Sequence, residues 1–173
     1  MQRRTLLQLG FGATVTLAVA GGAVAWLHPG FADGRLSTGG RAVFHAVARA
    51  VLDGSLPADA AARDAALQAQ LAHLDTAIAA FPPATRGELS QLLALLAAAP
   101  GRVALAGLSA DWPTASVAEL QAALQNMRTS RLALRQQAYQ ALRDLTNAAF
   151  YADPAAWAAM GYPGPRALSA EPA

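Results

Sequence analysis

Two side chains are missing altogether: the chain has no cysteine and no lysine. Without cysteine there is no disulfide, no thiolate metal site and no Cys-x-x-Cys-His attachment for c-type haem, so the fold rests on packing. Without lysine every basic side chain besides histidine is an arginine, and thirteen of them face eleven acids for a formal charge of +2. Arg3 and Arg4 account for that excess, so the pI of about 9.7 marks no basic stripe of the kind that binds nucleic acid. Histidine is limited to His28, His45 and His73, too few and too scattered for a three-ligand zinc site, with no His-Glu-x-x-His. His45 lies between Arg41 and Arg49 on one helical face and reads as a solvated surface histidine disfavoured from charging. Gly21-Gly22 and Gly39-Gly40 match neither a P-loop nor a dinucleotide fingerprint, and no Gly-x-Ser-x-Gly elbow occurs. No catalytic, cofactor-binding or metal-binding residue is therefore expected in this chain. Alanine is what abounds, a compositional bias that inflates the hydrophobic fraction of 54%.

The N-terminus carries the first positive signal. Gln2-Arg3-Arg4-Thr5-Leu6-Leu7-Gln8 resembles a bacterial twin-arginine export signal, with Gln2 where Ser or Thr is commoner and Leu6 in place of the usual Phe. The run from Leu9 to Leu27 is apolar but diluted by Gly10, Gly12, Gly21 and Gly22, as such signals tend to be. Small-x-small sites stand at Ala18-Val19-Ala20 and Ala23-Val24-Ala25, while the run approaches the ~20 residues that span a bilayer. Cleavage and retention as an anchor are both open, and the expected location is the periplasm or the periplasmic face of the inner membrane. Residues 1–30 are read as signal or anchor and 31–173 as one domain, a length that suits a single modest core.

Within that domain the periodicity is helical throughout, and no stretch alternates as a half-buried strand would. The expected class is all-α, a small antiparallel bundle. Ser37 or Thr38 caps a helix over about 40–52, burying Val43, Phe44, Val47 and Val51. A second runs from about Asp59 to Ala80, with Leu67, Leu71, Leu74 and Ile78 in one stripe. Thr85 and Glu88 form a capping box for a third, whose leucines 89, 92, 93, 95 and 96 cover more than half its circumference and predict a central place. After a connector containing Trp112, Ser116 and Glu119 form a second capping box. It opens one long helix to about Phe150, with Val117, Leu120, Leu124, Met127, Leu134, Ala138, Leu142 and Leu145 as its seam.

Arg131 falls inside that seam, where an unpaired charge would cost several kcal/mol. It calls for an internal acid such as Asp75 or Asp111, or for a contact with another subunit. The C-terminal segment, about 150–166, packs Phe150, Tyr151, Trp157 and Tyr162, four of eleven aromatics, into a short stretch. Asp153-Pro154 caps a turn beneath Trp157, and Gly161-Tyr162-Pro163-Gly164-Pro165 forces an extended or turning path. Rings held on so stiff a strip suit partner recognition, or else they close the open end of the bundle itself.

Arg128-Thr129-Ser130-Arg131, Ala138-Tyr139, Phe150-Tyr151-Ala152-Asp153-Pro154, Trp157 and Gly161-Tyr162-Pro163-Gly164-Pro165 together resemble the small subunit of bacterial flavoprotein sugar and polyol dehydrogenases, the gluconate 2-dehydrogenase subunit 3 family. The resemblance spans most of the chain, and its specific part is the Trp-x-x-x-Gly-Tyr-Pro-Gly-Pro end. It implies a non-catalytic accessory subunit that supplies the export signal (Arg3, Arg4, Leu6, Leu7) for a large FAD-containing subunit of the glucose-methanol-choline class. Such a subunit matures its partner, crosses the membrane with it and stays as a clamp, electrons leaving through a separate cytochrome c subunit. The interface residues it implies are Arg131, Tyr139, Phe150, Tyr151, Trp157, Tyr162, Pro163 and Pro165. The competing reading is a free-standing exported bundle that binds a small ligand or a non-covalent haem, with a histidine and Met127 or Met160 as axial ligands.

Overall fold

The computed structural model describes residues 28–157 and 161–164. Arg3, Arg4, Leu6, Leu7, Met160 and Pro165 lie outside the described residues. The domain is mostly helical, with one small addition that the periodicity does not announce. Phe31–Ala32 (β1) and Arg35–Leu36 (β2) pair as an antiparallel hairpin in the register Phe31 to Leu36. Its two-residue turn, Asp33-Gly34, has φ of 52° and 75°, the left-handed pair that an Asp-Gly hairpin turn adopts. The all-α class holds, and the one strand pairing among the described residues is this hairpin. It escapes a search for alternation because strands this short offer too few residues to alternate.

The hairpin is stitched to two helices. Ser90 Oγ accepts from the Phe31 amide and donates to the Phe31 carbonyl, both at 3.0 Å, and the Gly30 amide donates to the Ser90 carbonyl. Asp75 accepts from the Leu36 amide at 2.7 Å and from Arg41 at 2.9 Å. Gly30 passes so close to Leu93 that a Cβ there would collide with it.

Helix α1 (Thr38–Val51) starts on Ser37, whose hydroxyl accepts from the Gly40 amide. Val43, Phe44 and Val47 are fully buried, each worth about 1.5–3 kcal/mol of transferred apolar surface. Helix α2 (Ala60–Ala79) starts on Asp59, and its stripe of Leu67, Leu71, Leu74 and Ile78 is buried. Helix α3 (Pro83–Ala97) has Pro82 as its N-cap and Pro83 in its first turn, with no side-chain cap. The Thr85–Glu88 capping box is therefore not formed. Proline at a first helical position is pre-set in φ and lacks only an amide that would go unpaired there, so the helix begins two residues before Thr85. Helical turns at Ala99–Gly101 and Arg102–Ala106 follow and end at Gly107, in the left-handed conformation with φ 70°.

Helix α4 (Val117–Arg128) opens on the Ser116–Glu119 capping box, both bonds of which are present. The long helix expected from here to Phe150 is two helices, because α5 is a separate Ala133–Tyr151. At the break Thr129 Oγ1 donates to the Gln125 carbonyl at 3.0 Å and Ser130 Oγ accepts from the Leu132 amide at 3.2 Å. These hydroxyls offer the backbone local partners in place of the helical ladder, and Gln136 Nε2 holds the Ser130 carbonyl at 2.7 Å. Arg131 thus lies in an exposed joint, not in a buried seam. The two acids proposed for it are occupied elsewhere: Asp75 pairs with Arg41 and Asp111 with Arg102.

The central element is α1, which packs against α2, α3, α4 and α5. That corrects the expectation that the leucine-rich third helix holds the middle; Leu92 and Leu95 of α3 are only half-buried. The main core joins Phe44 and Val47 to Ile78, Leu93, Met127 and Leu142, while a smaller cluster joins Ala48, Leu52, Leu67, Phe150 and Ala156. Trp112, buried in the connector, donates Nε1–H to the Leu96 carbonyl at 2.7 Å.

Candidate functional site

The small cluster leads to the C-terminal end of α5, where the aromatic residues gather. Asp153 Oδ1 accepts from the Ala155 amide at 2.9 Å and so caps a single 3-10 turn, Pro154–Ala156. That turn folds the chain back and lets Trp157 donate its indole N–H to the Tyr151 carbonyl at 2.9 Å. Gly161, at φ 68°, allows the next reversal, and the Tyr162 amide then reaches the Trp157 carbonyl at 3.0 Å. The Trp157 and Tyr162 rings meet edge to face with centroids 5.4 Å apart, a geometry that the ring quadrupoles favour. Phe150 and Tyr151 make a second edge-to-face pair at 5.1 Å.

The expected interface residues therefore fall into separate places. Phe150 is 7% exposed and belongs to the core cluster, so little of its ring faces outward. Tyr151 and Trp157 are half-buried, Pro163 is exposed, and Tyr162 is 48% exposed. Tyr139 is half-buried against the main core. Arg131 lies before α5, about 30 Å of helix from the strip at 1.5 Å per residue. Leu132 beside it is 63% exposed. Between α3 and α5 runs an apolar groove of about 680 Å³, floored by Leu89, Leu92, Leu134 and Leu145.

A second pocket, of about 290 Å³, lies directly behind the strip. It is bounded by the Gly54–Pro57 turn, by Gln70 and His73 of α2, and by Phe150, Asp153 and Ala156. Gln70 is 1% exposed, and neither of its side-chain amide atoms has a hydrogen-bond partner. The Ala149 carbonyl lies 3.1 Å from His73 Nδ1; a carbonyl only accepts, so Nδ1 carries a proton, and in the neutral imidazole Nε2 is the acceptor. The composition-based reading overlooked Gln70, although a signal was present. Gln70 stands three residues after Leu67 and four before Leu74, on the buried stripe of α2.

Among the described residues no group of three or more His, Asp or Glu side chains is placed to hold a metal ion. His45 is half-buried, which corrects the solvated reading. Burial foremost, then the Arg49 guanidinium, holds its imidazole below the ordinary pKa, with Asp64 opposing. Met127 is fully buried in the main core, where methionine is ordinary packing. Among the described residues no single helix is long and apolar enough to cross a membrane. No family model matches this chain, and neither a curated protein nor a solved structure matches it.

Proposed function

We propose that this chain is a non-catalytic accessory subunit that escorts, matures and stabilises a large FAD-dependent dehydrogenase of the glucose-methanol-choline class and supplies its twin-arginine export signal. The observation that carries the reading is the C-terminal strip. The sequence there reads Trp-x-x-x-Gly-Tyr-Pro-Gly-Pro, and within it the Tyr162 ring, 48% exposed, meets a half-buried Trp157 edge to face. An exposed aromatic on a conformationally restricted strip loses little entropy on binding and is the usual chemistry of an interface anchor. Arg3-Arg4, the apolar run behind them and the exposed Leu132 support the same reading. FAD and the redox chemistry belong to the partner, and a cytochrome c subunit joins through the complex. The site of action is the periplasm or the periplasmic face of the inner membrane.

Affinity purification of the tagged chain from its native periplasm and membranes tests this directly. The expected product is a yellow complex with a large flavoprotein that has no leader of its own; a colourless lone chain overturns the escort role. Replacing Arg3 and Arg4 by Lys should strand both proteins in the cytoplasm, and partner export that continues in the double variant would falsify it.

A further inference from the structure

We infer that the pocket behind the strip binds a small hydrogen-bond-donating cation, a primary ammonium or a guanidinium head. The inference is independent of the escort reading and rests on an imbalance between acceptors and donors in the lining. Asp153 is the one carboxylate in the lining, and only its Oδ1 is committed, to the Ala155 amide. His73 offers Nε2 as an acceptor, since Nδ1 is spent on the Ala149 carbonyl. Gln70 adds a carbonyl oxygen with no partner. Against these acceptors the lining sets only the Gln70 amide N–H pair and the Ser55 hydroxyl as free side-chain donors.

A buried amide with neither end paired is costly, so Gln70 is better explained as part of a recognition surface than as packing. Phe150, also in the wall, adds an aromatic ring of the type that attracts cations. The neighbouring arginine, Arg63, is turned away from this role. Its guanidinium is held on the Pro57 and Ala58 carbonyls at 3.2 and 2.7 Å. A volume of about 290 Å³ admits an alkylguanidine or alkylamine but no large cofactor. The head group has two sources, a free small molecule or an arginine or lysine side chain of a partner, and the chemistry of recognition is the same for both.

The test is a titration of the full chain with agmatine, read by NMR at the Gln70 side-chain amide and the His73 ring. Saturable shifts in the millimolar range or tighter are expected. Asp153→Asn keeps a side-chain oxygen for the Ala155 amide while removing the charge, and it should weaken binding about tenfold or more. Gln70→Leu, which leaves the cap untouched and suits the apolar stripe, should weaken it too. Absence of saturable shifts up to about 10 mM, or equal affinity in both variants, overturns the proposal. Agmatine added to the purified complex separates the sources. Release of the partner identifies a partner side chain, and binding without release identifies a free cation. Should the affinity purification return a colourless chain without a partner, agmatine binding by that chain would leave this pocket standing while the escort reading falls.

Discussion

Asp75 illustrates how few side chains fix the layout. One oxygen takes the Leu36 amide and the other the Arg41 guanidinium, so a single carboxylate on α2 holds both the hairpin and α1. Arg102 does similar work in the connector, where it is 8% exposed and bonds the Leu108 and Ser109 carbonyls as well as Asp111. His45 has the opposite character, since burial and Arg49 together outweigh Asp64 and resist a second proton. Its folded pKa lies below the unfolded value, so the unfolded chain takes up the proton first. The contribution of neutral His45 to stability is fully present above about pH 6.5 and is lost as pH falls through the depressed folded pKa. Denaturant titrations between pH 7.5 and about pH 5 should therefore show falling stability, and His45→Gln should flatten that part of the curve. A wild-type curve no steeper than that of the variant would show that burial of His45 is not felt energetically.

At the scale of elements, sequence and structure agree where a local rule stands alone. Ser37, Asp59 and the Ser116–Glu119 box start their helices as side-chain chemistry dictates. Ser116→Ala removes the hydroxyl that accepts from the Glu119 amide and donates to its carboxylate, while the Ser116 amide keeps its own bond to Glu119, and should cost about 1 kcal/mol by chemical denaturation. Glu119 is held below its ordinary carboxylate range, first by the Ser116 hydroxyl and then by the Ser116 backbone. That support is present above the unfolded pKa and fades as pH falls through the lower folded value, so the penalty of the substitution should shrink in acid. Where two local rules compete, the structure departs from the expectation. Thr85-x-x-Glu88 is a valid capping box, yet Pro83 offered an earlier start and won. The three-four spacing from Val117 to Leu145 is interrupted only at Arg131, yet Thr129 and Ser130 capture backbone partners and end the helix between them. The pocket behind the strip was less legible still, because it joins residues of α2 to the end of α5, and pairing across such distances leaves no mark in a periodicity.

At the scale of the molecule, the two ends of the chain serve different readings of the same fold. The aromatic strip closes over the end of α5 through Trp157 and leaves Tyr162 facing outward. If the escort reading holds, Tyr162→Ala should weaken association with the flavoprotein by about 2 kcal/mol while the unfolding midpoint stays in place. Trp157→Ala should weaken both, because its indole also holds the Tyr151 carbonyl. Calorimetric titration with thermal circular dichroism of each variant separates the outcomes, and loss of helicity in Tyr162→Ala would make that ring part of the core.

The stitched hairpin has a mechanical consequence. Any pull applied through residues 1–27 enters the folded domain at Gly30 and Phe31, whose bonds run to Ser90 on α3, and passes through Leu36 to Asp75 on α2. Those anchors lie 59 and 39 residues away along the chain. Tension at the N-terminus is thus shared between α2 and α3 before it reaches α1, instead of peeling that first helix away.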